Sequence, residues 1–212
     1  MKGGIMNKRY LTEMYRPVFA VICALALTAC APGGAGDGEA VDAADEMAAG
    51  DESAAVQSTV QSELLGDLAN LRDKYLGLAE AMPESDYGWR PGEGVRSVSE
   101  VYMHVAAANI GLVARVMGTD PPAGVEGWYG QDAESITDKP TVVAALAASF
   151  DYIGEALEAT ADDAWGQGVE LFGATSVRGA MTFTLAHCHE HLGQSIAYAR
   201  VNGVVPPWSA GG

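Results

Sequence analysis

Positive charge is scarce in this 212-residue sequence, which has 12 Lys and Arg against 28 Asp and Glu. The formal net charge is −16 at pH 7. A chain with this charge is repelled by phosphate backbones and by acidic lipid head groups. The composition therefore argues against nucleic acid as a partner and against electrostatic attachment to a membrane.

Long apolar runs are also lacking. The longest, "VFAVICALALTA" at residues 18–29, has about a dozen residues, whereas a helix that crosses a bilayer needs roughly 20. Four basic residues precede it: Lys2, Lys8, Arg9 and Arg16. A basic stretch followed by a short apolar run is typical of a secretory signal peptide, which we predict over residues 1–29.

Cysteine is the third scarce residue, with three in the chain. Leu27-Thr28-Ala29-Cys30 resembles the lipobox of bacterial lipoproteins, in which the cysteine is lipidated and becomes the new N-terminus. We therefore expect a protein of the bacterial cell envelope, outside the cytoplasm and attached to a membrane by lipid on Cys30. An ordinary signal peptide with an incidental cysteine is the alternative. In the lipoprotein interpretation only Cys188 stays a free thiol, so an internal disulfide is excluded.

Removal of the signal peptide makes the remaining chain more acidic. Its four basic residues and Glu13 give the leader a charge of +3, so the rest carries −19. Residues 30–55 are rich in Ala, Gly, Asp and Glu and contain almost no large apolar residue. We predict an acidic flexible tether there, because such a segment buries too little surface to offset its conformational entropy. The folded domain is then expected over residues 56–208.

Four stretches of this domain have helical periodicity. They are predicted at 56–81, from the Ser97-Val98-Ser99-Glu100 capping box to Gly118, from Pro140 through Leu157, and at 177–202. The segments 117–139 and 162–176 are long connections, and the second includes "VELFG", where a short extended pair is expected. The sequence thus predicts an all-α four-helix bundle of the up-down type with long connecting loops.

Three of the four histidines lie in "HCHEHLGQ", residues 187–194. On a helix, His187 and His191 are separated by one turn and share a face, whereas His189 is about 160° away from His191. His104 lies near the apolar stripe of the second helix. These three histidines can converge between two helices, and we predict that they bind a metal, with His189 facing solvent or supporting the ligands.

Three protein ligands with an open position are typical of a catalytic metal site. Such an ion polarises a water or a substrate oxygen. Imidazole ligands suit Zn, Ni, Fe or Cu, so the metal is a divalent ion of unassigned identity. By itself the His-x-x-x-His spacing is a weak signal. Cys188 is interpreted as a small buried residue rather than as a fourth ligand.

Two blocks of the sequence carry a resemblance to a known family. "WRPGEGVRSVSEVYMHVAAAN" (89–109) and "HCHEHLGQSIAYARVNGVVPPW" (187–208) resemble the DinB family of damage-inducible, metal-binding four-helix bundles. The resemblance implies that the metal ligands are His104, His187 and His191. It also implies a superfamily that includes thiol-dependent enzymes, such as mycothiol-dependent isomerases and bacillithiol transferases.

Function is left with three alternatives, the last of which is a bundle that has kept the histidines but has lost useful metal affinity. The first is a metal-dependent hydrolase, or a thiol-dependent transferase, acting on a small-molecule substrate; export disfavours the thiol-dependent activity, because low-molecular-weight thiols are mainly cytosolic. The second is a non-catalytic, lipid-anchored module that binds a metal or another ligand. No catalytic residue is assigned, and Arg96, Gln194 and Tyr198 are candidates for supporting the ligands or orienting substrate, with capping and packing as their alternative roles. The sequence leaves a homodimer open.

Overall fold

The structure is a computed structural model that describes residues 45–130 and 132–210. The predicted signal peptide, Cys30 and the tether up to residue 44 lie outside the described residues. Residues 51–212 form one compact unit, and all contacts described below lie within it. In the preceding unit, residues 45–50 are described, and their backbone is helical.

The described part of the chain has four α-helices: α1 (Asp45–Ala81), α2 (Val98–Met117), α3 (Lys139–Ala159) and α4 (Val177–Val201). The predicted all-α, four-helix fold is confirmed. The last three helices begin and end within a few residues of the predicted positions. Helix α1 differs, because it begins at Asp45 rather than at residue 56 and includes the last part of the predicted tether. Residues 45–55 contain four Ala and two Glu, both strong helix formers.

Helix α2 has the predicted capping box at its start. The Ser97 side chain accepts a hydrogen bond from the Glu100 backbone N–H, and the Glu100 carboxylate accepts one from the Ser97 N–H at 2.7 Å. The helix ends at Gly118, whose φ of +65° is the left-handed conformation that glycine adopts without steric cost. Both ends of the helix that carries His104 are therefore fixed by local contacts.

The connection between α3 and α4 contains the only two strands in the described part of the chain. Strands β1 (Gly168–Glu170) and β2 (Ala174–Ser176) pair antiparallel, with Val169 opposite Thr175. This pair lies around the predicted extended segment. Ser176, at the end of β2, also caps α4 by accepting a hydrogen bond from the Gly179 N–H at 3.1 Å.

The core lies between the four helices, and α2 packs against both α3 and α4. It includes fully buried side chains from all four helices, among them Leu71, Tyr75, Val105, Leu112, Leu146, Phe150, Ile153, Ala180 and Met181. Within the described residues, no helix has the length and apolar character needed to cross a membrane. We expect an extensive core of this kind to support the fold without a bound ligand.

Candidate metal centre

His104, His187 and His191 lie together between helices α2 and α4. One ring nitrogen from each lies within 4.8 Å of those of the other two. The ring centroids are 4.6 Å apart for His187 and His191, 4.8 Å for His104 and His191, and 5.3 Å for His104 and His187. His187 and His191 are one turn apart on α4 and face His104 on α2. The three imidazoles thus meet at one point.

The spacing between the rings is compatible with a metal ion. Nε2 of His104 and Nε2 of His187 are 3.3 Å apart. Two nitrogens about 2.0–2.1 Å from a common zinc ion in tetrahedral geometry are separated by roughly 3.3 Å. His104 is 5 % exposed and His187 is 7 % exposed. Two ring nitrogens facing each other in so buried a place need a shared proton or a cation between them.

Glu134 supports His104 from outside the cluster. Its Oε1 is 3.2 Å from Nδ1 of His104, and its Oε2 accepts a hydrogen bond from Nε of Arg96 at 3.0 Å. Although burial acts in the opposite direction, these contacts with His104 and Arg96 hold the pKa of Glu134 at about 2. An ionised carboxylate is only an acceptor, so Nδ1 of His104 must carry a proton, and the tautomer with that single proton has Nε2 free for a metal.

A second chain of hydrogen bonds supports His191. Nδ1 of His191 is 2.8 Å from Oε1 of Gln194, and Nε2 of Gln194 donates to the Tyr198 hydroxyl at 2.8 Å. That hydroxyl donates in turn to the backbone carbonyl of Arg96 at 3.2 Å. Every group in this series has a partner if Nδ1 of His191 donates to Gln194. The single proton of the neutral ring then lies on Nδ1, and Nε2 of His191 is free. The hydrogen bonds that hold His104 and His191 therefore both lead to Arg96, those of His104 to its side chain and those of His191 to its backbone carbonyl.

His187 differs from the other two histidines. Its Nδ1 is buried and has no hydrogen-bond partner among the described residues. Burial, followed by the nearby charges of His191, His104 and Arg96, lowers the pKa of His187 to about 3. The pKa of His191 is lowered as well, chiefly by burial. Without a metal these two rings are therefore neutral at pH 7, which is the form that binds metal ions.

The remaining residues of the "HCHEHLGQ" segment lie away from this point. His189 is on the exposed side of α4, where its Nε2 is 2.9 Å from the Asp67 carboxylate. Cys188 is fully buried, and its thiol donates to the Asn109 side-chain oxygen at 3.1 Å. Burial raises the pKa of this thiol to about 12, so it is not a thiolate at neutral pH. Neither residue joins the cluster.

Sequence reasoning brought Arg96, Gln194 and Tyr198 into consideration but missed Glu134. Gln194 contacts His191 directly, whereas Arg96 and Tyr198 act one contact further out. Glu134 lies in a short 3₁₀ turn, Ala133–Ser135, within the loop between α2 and α3. It is one of 28 acidic residues in the chain, and its separation of 30 residues from His104 matches no ligand motif. Only the folded loop shows the contact.

A comparison with known protein families finds a match. The family model described as the DinB superfamily matches residues 67–195. This range covers more than half of the chain and contains all three histidines of the cluster, together with Arg96, Glu134 and Gln194. No curated protein matches the chain.

Proposed function

The chain belongs to the DinB superfamily, and from that premise we propose that it binds a divalent metal ion on His104, His187 and His191 and uses it in hydrolysis or group transfer on a small molecule. The observation that carries the proposal is the convergence of three ring nitrogens within 4.8 Å at a buried point. Three nitrogen ligands leave at least one coordination position for a water or a substrate. Zn, Ni and Fe all suit this ligand set.

The surroundings of the cluster support an approach from one side. His104 and His187 are buried, whereas His191, Gln194, Arg96 and Glu134 are half-buried. A ligand would therefore enter between the start of α2 and the loop that carries Glu134. When bound, the ion would polarise a water or a substrate oxygen. Arg96 would place a positive charge beside the incoming group, and the buried rings would exclude bulk water from the far side.

A non-catalytic module is the second candidate, and the burial of the site favours it. With His104 and His187 less than a tenth exposed, an ion on these residues would tie α2 to α4 and could serve only to stabilise that contact. We place this candidate second because the four helices already share a core that does not depend on the cluster.

The location of the protein is a further part of the proposal. We propose that the chain is exported, that Cys30 carries the lipid anchor, and that the domain lies in the bacterial cell envelope. The support is the basic, apolar and Leu-Thr-Ala-Cys pattern of the first 30 residues. Labelling of cells with a radioactive fatty acid tests this part: the wild-type chain should be labelled and the Cys30→Ser variant should not. Labelling of both, or of neither, would contradict the anchor.

Metal removal distinguishes the two functional candidates. The chelator-treated protein and the His191→Ala variant should both keep their helical circular dichroism, because the core persists. Turnover of a panel of small ester, amide and thiol-acceptor substrates should require the metal and should be lost in His191→Ala. The matched control is His189→Ala, which removes a histidine of the same segment outside the cluster. If metal removal unfolds the protein and the loaded form turns over no substrate, the non-catalytic module is the correct function.

A further inference from the structure

One acidic side chain of the α2–α3 loop, Glu134, contacts both a member of the histidine cluster and the guanidinium of Arg96. Its two carboxylate oxygens are divided between them, Oε1 facing Nδ1 of His104 at 3.2 Å and Oε2 accepting from Nε of Arg96 at 3.0 Å. The partners differ in kind: a guanidinium is only a donor, whereas a neutral imidazole nitrogen is a donor or an acceptor depending on its tautomer. The carboxylate therefore determines which nitrogen of His104 carries the proton.

We propose that Glu134 is the positioning residue of this site, which selects the tautomer of His104 that turns a bare Nε2 toward His187 and His191. The inference rests on the proposed metal site and goes beyond it by assigning a role to a loop residue that is not itself a ligand. Carboxylates that hold the outer nitrogen of a metal-binding histidine typically affect metal affinity by about 10–100-fold.

The loop holds Glu134 in a defined position. Ala133 beside it is 2 % exposed and belongs to the core, and Ile136 packs against the same core. The Ser135 hydroxyl donates to the backbone carbonyl of Asp132 at 2.6 Å, which closes the turn. The carboxylate is therefore presented by a packed turn with its own local hydrogen bonds, as a positioning role requires.

The Arg96 contact makes the effect of an amide at position 134 predictable. In Glu134→Gln, the guanidinium still needs an acceptor, so the new amide oxygen faces Arg96 and the new NH₂ group faces Nδ1 of His104. An NH₂ group only donates, so Nδ1 must become the acceptor and the proton moves to Nε2. The substitution should thus reverse the tautomer and block the nitrogen that faces the other two rings.

Nitrogen-15 NMR of the imidazole side chains in the full, metal-free chain at pH 8 tests the tautomer directly. The wild-type protein should show His104 with the proton on Nδ1, and Glu134→Gln should show it on Nε2. Arg96→Met added to Glu134→Gln releases the amide oxygen to turn toward His104, and should restore the wild-type tautomer. A wild-type His104 with its proton on Nε2, or no reversal in Glu134→Gln, would overturn the inference.

Zinc affinity, measured by competition with a chromophoric chelator, is the second readout. Glu134→Gln should bind zinc about 10–100-fold more weakly than the wild type. The matched control is Glu126→Gln, an exposed glutamate of the same loop whose carboxylate accepts backbone hydrogen bonds from its own residue and Gly124; it should bind as the wild type does. Equal affinity in all three proteins would contradict the role of Glu134. Absence of zinc binding by the wild type would instead refute the proposed function, while the tautomer measurement still decides the role of Glu134.

Discussion

Lowering the pH from 7 to 5 should destabilise the metal-free protein through His187. In the folded state, burial and the neighbouring rings keep the pKa of this imidazole at about 3, so it stays neutral over the whole interval. In the unfolded chain a histidine has a pKa of about 6.5 and takes up a proton as the pH falls. Because the unfolded state binds the extra proton, the contribution of His187 to stability is complete above its pKa in the unfolded chain and decreases as the pH falls below that pKa.

The size of this effect follows from the two pKa values. Between pH 7 and pH 5 the unfolded histidine goes from mostly neutral to almost fully protonated, and the folded one does not change. Integration of the proton-binding difference gives a loss of about 2 kcal/mol in the free energy of unfolding. The result is nearly independent of the pKa of His187 in the folded state, as long as that pKa lies well below 5. For a domain of this size, about 2 kcal/mol corresponds to a decrease of about 4–8 °C in the unfolding midpoint.

The assay compares two proteins by the change in their free energy of unfolding between pH 7 and pH 5, because other groups also titrate in this interval. Chemical denaturation of the chelator-treated protein at pH 7 and pH 5 gives the wild-type difference, and the same pair for His187→Leu gives the difference without this imidazole. The wild-type difference should exceed that of His187→Leu by about 2 kcal/mol. The control His189→Gln retains His187 and should retain the larger difference. If the free energy of unfolding changes equally between pH 7 and pH 5 in the wild type and in His187→Leu, the neutral, buried state of His187 is refuted.

Three further substitutions test the contacts that hold the helices, each measured by urea denaturation at pH 7. Ser97→Ala removes the acceptor for the Glu100 N–H and should cost about 1 kcal/mol; no loss would mean that the capping box does not stabilise α2. Tyr75→Phe keeps the buried ring but removes its 2.7 Å hydrogen bond to the Cys188 carbonyl, and should cost about 0.5–1.5 kcal/mol. Gly118→Ala places a side chain at a φ of +65° and should cost about 1–2 kcal/mol, so an unchanged midpoint would contradict the left-handed C-cap.

Local rules explain why much of the fold could be predicted. The start of α2 at Ser97 and its end at Gly118 depend on residues within one turn of the helix ends, and the sequence alone shows them. The pairing of His187 with His191 follows from helical geometry in the same way. His104 required one more step, because its place near an apolar stripe indicates that it faces inward but not which helix it faces.

Sequence reasoning missed two features, for different physical reasons. The extension of α1 back to Asp45 was missed because a lack of large apolar residues was taken to indicate a flexible chain, while the helix propensity of its Ala and Glu residues favours a helix. The contact of Glu134 with His104 depends on how a loop of about 20 residues closes over the helix ends. No local pattern fixes that closure, which comes from the packing of Ala133 and Ile136 on the core.

Metal content is the most direct test of the central claim that His104, His187 and His191 hold a divalent ion. The chain should be purified without a polyhistidine tag and analysed for bound metals by plasma mass spectrometry, beside the variants His191→Ala and His189→Ala. The account predicts one tightly held divalent ion per chain in the wild type and in His189→Ala, and a loss of most of that metal in His191→Ala. A wild-type protein without stoichiometric metal, even after incubation with Zn, Ni or Fe, or a His191→Ala variant that retains it, would contradict the claim.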